Sequence, residues 1–249
     1  VYKMNPQGRV LMELGSKAHV GMTYEPCMET GAMSGGRKGS AVFDIVLHGR
    51  SAHAGRSKED GRSALEAAAH AVVDIEALNG RREGVSFNVG AIDGGGAVNI
   101  VPDLAIVRFG ARAPDPDAAQ WATWEVERIF REATARDGIT GHLHGGFYRP
   151  PKPRNEAQQT LFDAVAQTGS ALGLELTFED TGGVCEGNNI FAAGVPNVDT
   201  LGVMGGRIHS SEEYVVMSSL VERAQLSALL LNRFADGRID AAKIKALME

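Results

Sequence analysis

The chain has 249 residues, 43% of them hydrophobic and 22% charged, with a net charge of −6 at neutral pH. That is room for one large or two modest globular domains, and an acidic balance with scattered Lys and Arg argues against a nucleic-acid partner. No apolar run reaches the ~18 residues that span a bilayer, Val1-Tyr2-Lys3-Met4-Asn5-Pro6 lacks the apolar core of a signal peptide, and Cys27 and Cys185 are too few for a disulfide framework, so a cytoplasmic protein without a membrane partner is expected.

Residues 9–17 read as a short helix and 19–25 as a strand that runs into Tyr24-Glu25-Pro26. Residues 30–40, small and Gly-rich, read as a hinge. A strand at 41–47 follows, with β-branched and aromatic content. Residues 60–79 form an Ala-rich helical stretch with Leu65, Ala68, Val72 and Ile75 near helical spacing. Period-two alternation over 85–92 predicts a half-buried strand, and another spans 103–112. Pro114-Asp115-Pro116-Asp117 has the proline and acidic residues of a helix start, and the helix carries Trp121, Trp124, Ile129 and Phe130. A strand at 139–144 closes the set before Gly145-Gly146.

The order over 41–146 is β-α-β-β-α-β, the ferredoxin-like split βαβ, which predicts an antiparallel sheet with two helices on one face. After Arg149-Pro150-Pro151-Lys152-Pro153 the pattern changes to helix 155–171, strand 174–179, short helix 187–193, strand 196–201 and helix 218–235. That alternation predicts an α/β architecture. The tail from Asp236 onward is charged and reads as a frayed end. The expected organisation is therefore an α/β domain made of 1–36 and 149–249, interrupted by an α+β ferredoxin-like domain at 37–148.

Chemistry-bearing residues fall at the punctuation. His209 opens the polar turn His209-Ser210-Ser211-Glu212-Glu213 after Gly205-Gly206. A neutral imidazole is a common zinc ligand, and an acidic neighbour can orient it. Glu25 ends a strand, where open α/β sheets place their ligands. His53 sits among small residues in Gly49-Arg50-Ser51-Ala52-His53-Ala54-Gly55, where an imidazole can donate to a developing oxyanion. Asn99 follows Gly94-Gly95-Gly96 and offers an amide donor. Arg112 and Arg149 are each able to grip a carboxylate by paired hydrogen bonds. Gly182-Gly183-Val184-Cys185-Glu186-Gly187 precedes a short helix and offers backbone N–H groups to an anion.

Taken together and in this order, Tyr24-Glu25-Pro26, Gly49 to Gly55, Asn99-Ile100-Val101-Pro102, Gly182 to Asn188 and His209 to Tyr214 resemble the di-zinc metallopeptidase family of glutamate carboxypeptidase, aminoacylase and related deacylases. The resemblance implies a zinc-binding α/β domain with a ferredoxin-like lid that dimerises. It implies that Glu25 and His209 are ligands of two zinc ions. It implies that His53 acts from the lid on the partner subunit's site, and that Asn99, Arg112 and Arg149 contact substrate or oxyanion. The implied reaction is hydrolysis of the amide bond of N-acyl amino acids or of the C-terminal residues of peptides, on a small-molecule or peptide substrate. The family's His-x-Asp motif and bridging aspartate are not in this sequence. Its Glu-Glu pair does not follow Asn5-Pro6, and Cys185-Glu186 stands where the family has Ser or Thr before Asp. The chain is thus expected to be an incomplete one, by itself poor in zinc and inactive. Two alternatives remain open: a non-catalytic relative acting as a dimerisation or small-molecule-binding module, and a thiol hydrolase using Cys185.

Overall fold

The computed structural model describes residues 6–15 and 17–248. The stretch 1–5, read above for a signal peptide and for the missing Glu-Glu pair, lies outside the described residues. Two compact units emerge, one over 39–150 and the other over the described residues of 4–38 and 151–249, so the chain passes between them twice.

The first unit has the order β3 (Gly39–His48), α2 (Ala64–Glu76), β4 (Ser86–Gly94), β5 (Leu104–Ala113), α3 (Pro116–Thr134) and β6 (Thr140–Arg149). Its four strands form one sheet in the order β4-β5-β3-β6, and every neighbouring pair is antiparallel. Each helix starts where a side chain can take an orphan N–H. Ser63 Oγ accepts from Glu66 N at 3.1 Å, and Asp115 Oδ1 accepts from Ala118 N at 2.7 Å with Pro116 in the first turn. The alternation along β3 sends Ala41, Phe43, Ile45 and Leu47 into the core, while Val42, Asp44, Val46 and His48 face away from it. Ala68 and Ile75 from α2 and Val126 and Ile129 from α3 cover the apolar face, with the Phe43 and Phe109 rings stacked at 5.3 Å.

One boundary differs from expectation. Gly145-Gly146 reads as a turn, yet β6 continues through it, pairing Gly145 with Phe43 and Gly146 with Val42. Gly145 has φ 99°, and a Cβ there would run into the Val42 carbonyl oxygen, so these glycines let a strand pass close to its neighbour. Gly145→Ala is expected to destabilise the chain by about 1–3 kcal/mol, measurable as a lowered urea midpoint, whereas Gly80→Ala, also at positive φ but with open space around it, should show the conformational part of that cost alone.

The second unit contains α1 (Pro6–Gly15), α4 (Glu156–Ser170), α5 (Glu186–Ala192), α6 (Ser218–Ala235) and α7 (Ala241–Ala246) with short strand pairs. Strand β1 (Gly21–Met22) runs parallel to β8 (Asn197–Val198), and β2 (Met33–Arg37) parallel to β7 (Phe178–Thr181). The expected α/β layer is thus seen as two separate parallel pairs. The strand read at 19–25 is regular only at its centre, but its hydrogen bonds continue, Thr23 N to Val198 O at 3.0 Å and Gly202 N to Glu25 O at 3.0 Å. The Gly-rich hinge expected at 30–40 is instead strand β2. Gly35 lies under the Arg154 guanidinium and Gly36 donates its N–H to Asp180 Oδ1 at 2.7 Å, so the small residues mark close packing by neighbouring side chains. The tail does not fray. Asp240 caps α7, Ile244 joins Leu161, Leu226 and Leu230 in the core, and Lys245 Nζ donates to Ala18 O at 2.6 Å. Among the described residues no helix is long and apolar enough to cross a membrane.

Candidate functional site

The six candidate residues fall in three regions of the two units. In the second unit, Glu25 is half-buried on the segment whose Cys27 N–H donates to Val203 O at 3.1 Å. His209 is exposed in the turn between β9 (Gly205–Gly206) and β10 (Tyr214–Val215), an antiparallel pair that sequence periodicity missed because each strand is two residues long. The neighbours of both, Pro26 and Ile208, line one cavity of about 260 Å³ together with Gly206, Glu213 and Tyr214. Tyr214 Oη also donates to Glu29, which ties the turn to the Glu25 segment.

The turn is conformationally demanding. Arg207 and His209 have φ of 56° and 68°, a region L-residues seldom occupy. It is held by its own polar residues. Ser210 Oγ donates to Arg207 O at 2.7 Å, Arg207 pairs with Glu212 at 2.5 Å, and the His209 N–H donates to Glu213 Oε2 at 3.2 Å. The acidic residues therefore fix the backbone under His209, rather than orienting its ring as the sequence implied.

In the first unit, His53 forms an isolated antiparallel bridge with Ile100, the residue after Asn99, and Ala54 N donates to Asn99 O at 2.9 Å. His53 and Asn99 are both exposed. The Gly55 N–H donates to His53 Nδ1 at 3.1 Å, which assigns the proton of the neutral ring to Nε2. In the third region, Arg112 and Arg149 are each in register with Ser40, from opposite sides. Arg112 donates to Ser40 Oγ at 2.5 Å, and Ser40 Oγ donates to Tyr148 Oη at 3.2 Å. The structure does not bring this pair to His53 and Asn99. Asn99, bonded to the His53 loop, precedes Leu104 at one end of β5, and Arg112 lies at the other, roughly 26 Å from Leu104 at ~3.3 Å per strand residue.

In the glycine-rich loop at 182–187, three N–H groups are taken by neighbouring side chains, beginning with Gly183 N to Thr181 Oγ1 at 3.2 Å. Cys185 caps α5, its Sγ accepting from Gly187 N at 3.3 Å and its N–H donating to Asn188 Oδ1 at 3.0 Å. Cys185 is buried, and burial followed by the Asp199 charge pushes its thiol up to about 11. That burial and raised value work against a thiolate nucleophile at neutral pH.

Sequence reasoning missed a buried charge cluster. Lys152 and Asp199 are both 0% exposed and Arg37 is 7% exposed. Arg37 grips Asp199 with two hydrogen bonds, Nε to Oδ2 at 2.9 Å and Nη2 to Oδ1 at 2.8 Å, and Lys152 Nζ reaches Oδ2 at 2.5 Å. Burial opposes the Asp199 charge, but Lys152 and Arg37 outweigh it and hold its carboxyl below the usual range. Burial is also the larger influence on Lys152, whose ammonium is pushed down despite Asp199. Arg37 and Lys152 are paired by backbone as well, N to O at 2.8 and 2.9 Å. Both flank the points where the chain leaves and re-enters this unit, so one carboxylate fastens both connections. Lone charges inside otherwise apolar stretches, Asp199 in Val195-Pro196-Asn197-Val198-Asp199 and Lys152 between prolines, were the signal available.

A family description for a peptidase dimerisation domain, M20_dimer, matches residues 35–138. Carboxypeptidase G2 of Pseudomonas sp. (strain RS-16) is 30% identical over 217 residues, covering 83% of this chain and 50% of that protein. The indole-3-acetyl-aspartic acid hydrolase of Enterobacter agglomerans is 33% identical over 102 residues, covering 41% of this chain and 23% of its own. Among solved structures, the aminopeptidase PepT of Bacillus cereus ATCC 10987 shares the fold with a TM-score of 0.76 at 21% identity, covering 89% of this chain and 61% of its own. YXEP of Bacillus subtilis, described as a dinuclear metal binding peptidase of the M20 family, has a TM-score of 0.64 at 16% identity and covers 92% of this chain and 57% of its own. The chain spans about half the length of the curated relatives it matches over both units. Residues 35–138 match a peptidase dimerisation domain, and over most of its length the chain is similar to carboxypeptidase G2 and shares the fold of an M20-family peptidase.

Proposed function

We propose that this chain is part of a metal-dependent amidohydrolase that cleaves the amide bond of N-acyl amino acids or of the C-terminal residues of peptides, with two zinc ions in the complete enzyme. The observation that carries the proposal is the convergence of the Glu25 and His209 segments on one cavity in a relative of carboxypeptidase G2. One carboxylate and one imidazole suit a borderline divalent cation. They do not complete a site. Zinc takes three or four protein ligands, and among the described residues no three His, Cys, Asp or Glu side chains are grouped to hold a metal ion. The remaining ligands and the general base are assigned to the His-x-Asp, bridging Asp and Glu-Glu motifs of the family. Zinc, when bound, would polarise the scissile carbonyl and acidify a bound water.

The chain's own residues supply the rest. His53, with its proton on Nε2, donates to the oxygen that gains negative charge as the amide carbon becomes tetrahedral. Asn99 adds an amide donor beside it. Arg112 and Arg149 hold the substrate's terminal carboxylate by charge-assisted hydrogen bonds. With these pairs at opposite ends of one sheet, a small substrate meets both only if they come from two copies, so the domain at 37–148 is assigned as a dimerising lid. Sedimentation velocity should show a homodimer at micromolar concentration. A monomer throughout that range would remove the cross-subunit role of His53.

The activity is tested in a protein that joins this chain to a segment carrying the three motifs. Zinc-dependent release of free amino acid from N-acyl amino acids is expected, abolished by chelation and weak for the corresponding N-acyl amino acid amides, which lack the carboxylate. A folded, dimeric protein without metal-dependent hydrolysis would instead support the non-catalytic dimerisation or small-molecule-binding module.

A further inference from the structure

The open face of the sheet in the first unit carries three exposed histidines. His142 and His144 alternate onto this face of β6, and His48 lies on the same face of β3. The His142 and His144 ring centroids are 6.1 Å apart and those of His48 and His142 are 6.4 Å apart. Asp44 stands directly opposite His144 in the β3–β6 register. None of these residues belongs to the site assigned above.

We propose that His142, His144 and Asp44 form a surface site for a divalent transition-metal ion such as Zn²⁺ or Cu²⁺. Residues i and i+2 of a strand point to the same side, so His142 and His144 can chelate one ion without moving the backbone. Two imidazoles sharing a metal at ~2.0–2.1 Å bring their ring centroids to roughly 5 Å. The observed 6.1 Å is about 1 Å wider, a gap that rotation of two exposed side chains closes. In the present rotamers no such group of three is assembled among the described residues, so the metal gathers its ligands on binding. A directly opposed pair in an antiparallel sheet has Cβ atoms about 4.5–5.5 Å apart, which places the Asp44 carboxylate within reach as the third ligand. Asp44 is free to turn, because its contact with Arg108 Nε is long at 3.6 Å and Arg108 also pairs with Asp93. His48 lies beyond His142, away from His144, and so flanks the chelate without completing it. Mixed imidazole and carboxylate donors select Zn²⁺, Cu²⁺ or Ni²⁺ over Mg²⁺ or Ca²⁺.

The test is calorimetric titration of the chain, stripped of metal, with Zn²⁺, repeated with Mg²⁺. One Zn²⁺ per chain should bind in wild type, and Mg²⁺ should not. Loss of an outer-shell partner already costs about 10–100-fold in metal affinity, so His142→Ala and His144→Ala should each weaken zinc by at least ~10-fold, and Asp44→Asn should weaken it as well. His70→Ala, on an exposed helix position, and His19→Ala, exposed in the second unit, should leave this affinity unchanged. His144→Gln provides a variant that keeps a polar side chain on the strand. Zinc should raise the melting temperature of wild type and not of this variant, whose metal-free melting temperature should match wild type. With Cu²⁺, the electron paramagnetic resonance spectrum should show coupling to two imidazole nitrogens, lost in both alanine variants. No zinc uptake by wild type, unchanged affinity in His142→Ala and His144→Ala, or loss of the zinc isotherm in His70→Ala or His19→Ala would each overturn the proposal.

Discussion

Asp199→Ala is expected to lower the unfolding free energy by about 3–5 kcal/mol, the range found when one partner of a buried ion pair is removed and the other charge is left behind. Here two charges are left behind, since Lys152 is fully buried and Arg37 nearly so, and both lose their anionic acceptor, keeping only the neutral Asn197 Oδ1 and Gly183 O. The loss should appear as a shift of the urea midpoint. Replacing all three residues by apolar ones of similar size should recover much of it, because the desolvation cost of the charges is removed together with their attraction. The same cluster predicts acid sensitivity. The folded Asp199 carboxyl lies below its unfolded value of ~3.9, so its contribution is fully present above that pH and is lost as pH falls through the lower folded value. The Asp199→Ala protein should therefore lose less stability than wild type between about pH 5 and the onset of acid unfolding. Lys152 acts in the opposite pH range. Its folded value is depressed, the unfolded chain binds the extra proton between the two values, and stability gains as pH rises through that interval.

The second large effect concerns turnover in the completed enzyme. His209→Ala should abolish metal-dependent hydrolysis, since it removes a proposed ligand from a site to which this chain contributes only one other, Glu25. His53→Ala should lower kcat by about 10²–10³-fold, the usual effect of deleting one oxyanion donor, with a smaller change in KM because the donor acts on charge that develops in the transition state. Mixing the His53→Ala protein with His209→Ala protein separates the roles. If His53 serves the partner's metal site, a heterodimer of the two pairs an intact His53 with an intact His209 and regains activity. If both act within one chain, mixing restores nothing.

The ferredoxin-like unit was legible because its elements are long and periodic. The alternation over 85–92, the helical spacing of Leu65 to Ile75 and the proline-acid start before Trp121 each declare one element type, and their order fixes the topology. What escaped was structure fixed by partners distant in sequence. Strand β2 holds Gly35 and Gly36, which read as a hinge until Arg154 and Asp180 are known to cover them. The pair β9 and β10 is too short for any period, so the frame of His209 came from hydrogen bonds of its own turn. The tail looked frayed because its charges dominate, yet Ile244 enters the core with Ile239 packed beside it. Arg37 and Asp199 pair across 162 positions, and Lys152 and Asp199 across 47, distances over which a single sequence carries no pairing signal.

The order of motifs placed Glu25 and His209 in one chemistry, and the structure adds that their segments border one cavity. The most direct measurement is anomalous diffraction at the zinc absorption edge from crystals of the completed enzyme grown with zinc. The account predicts two peaks roughly 3.5–4 Å apart, with the Glu25 carboxylate bound to one ion and the His209 imidazole to the other, and loss of the second peak in His209→Ala. Zinc peaks that avoid both residues, or an unchanged pair in the His209→Ala crystal, would contradict it.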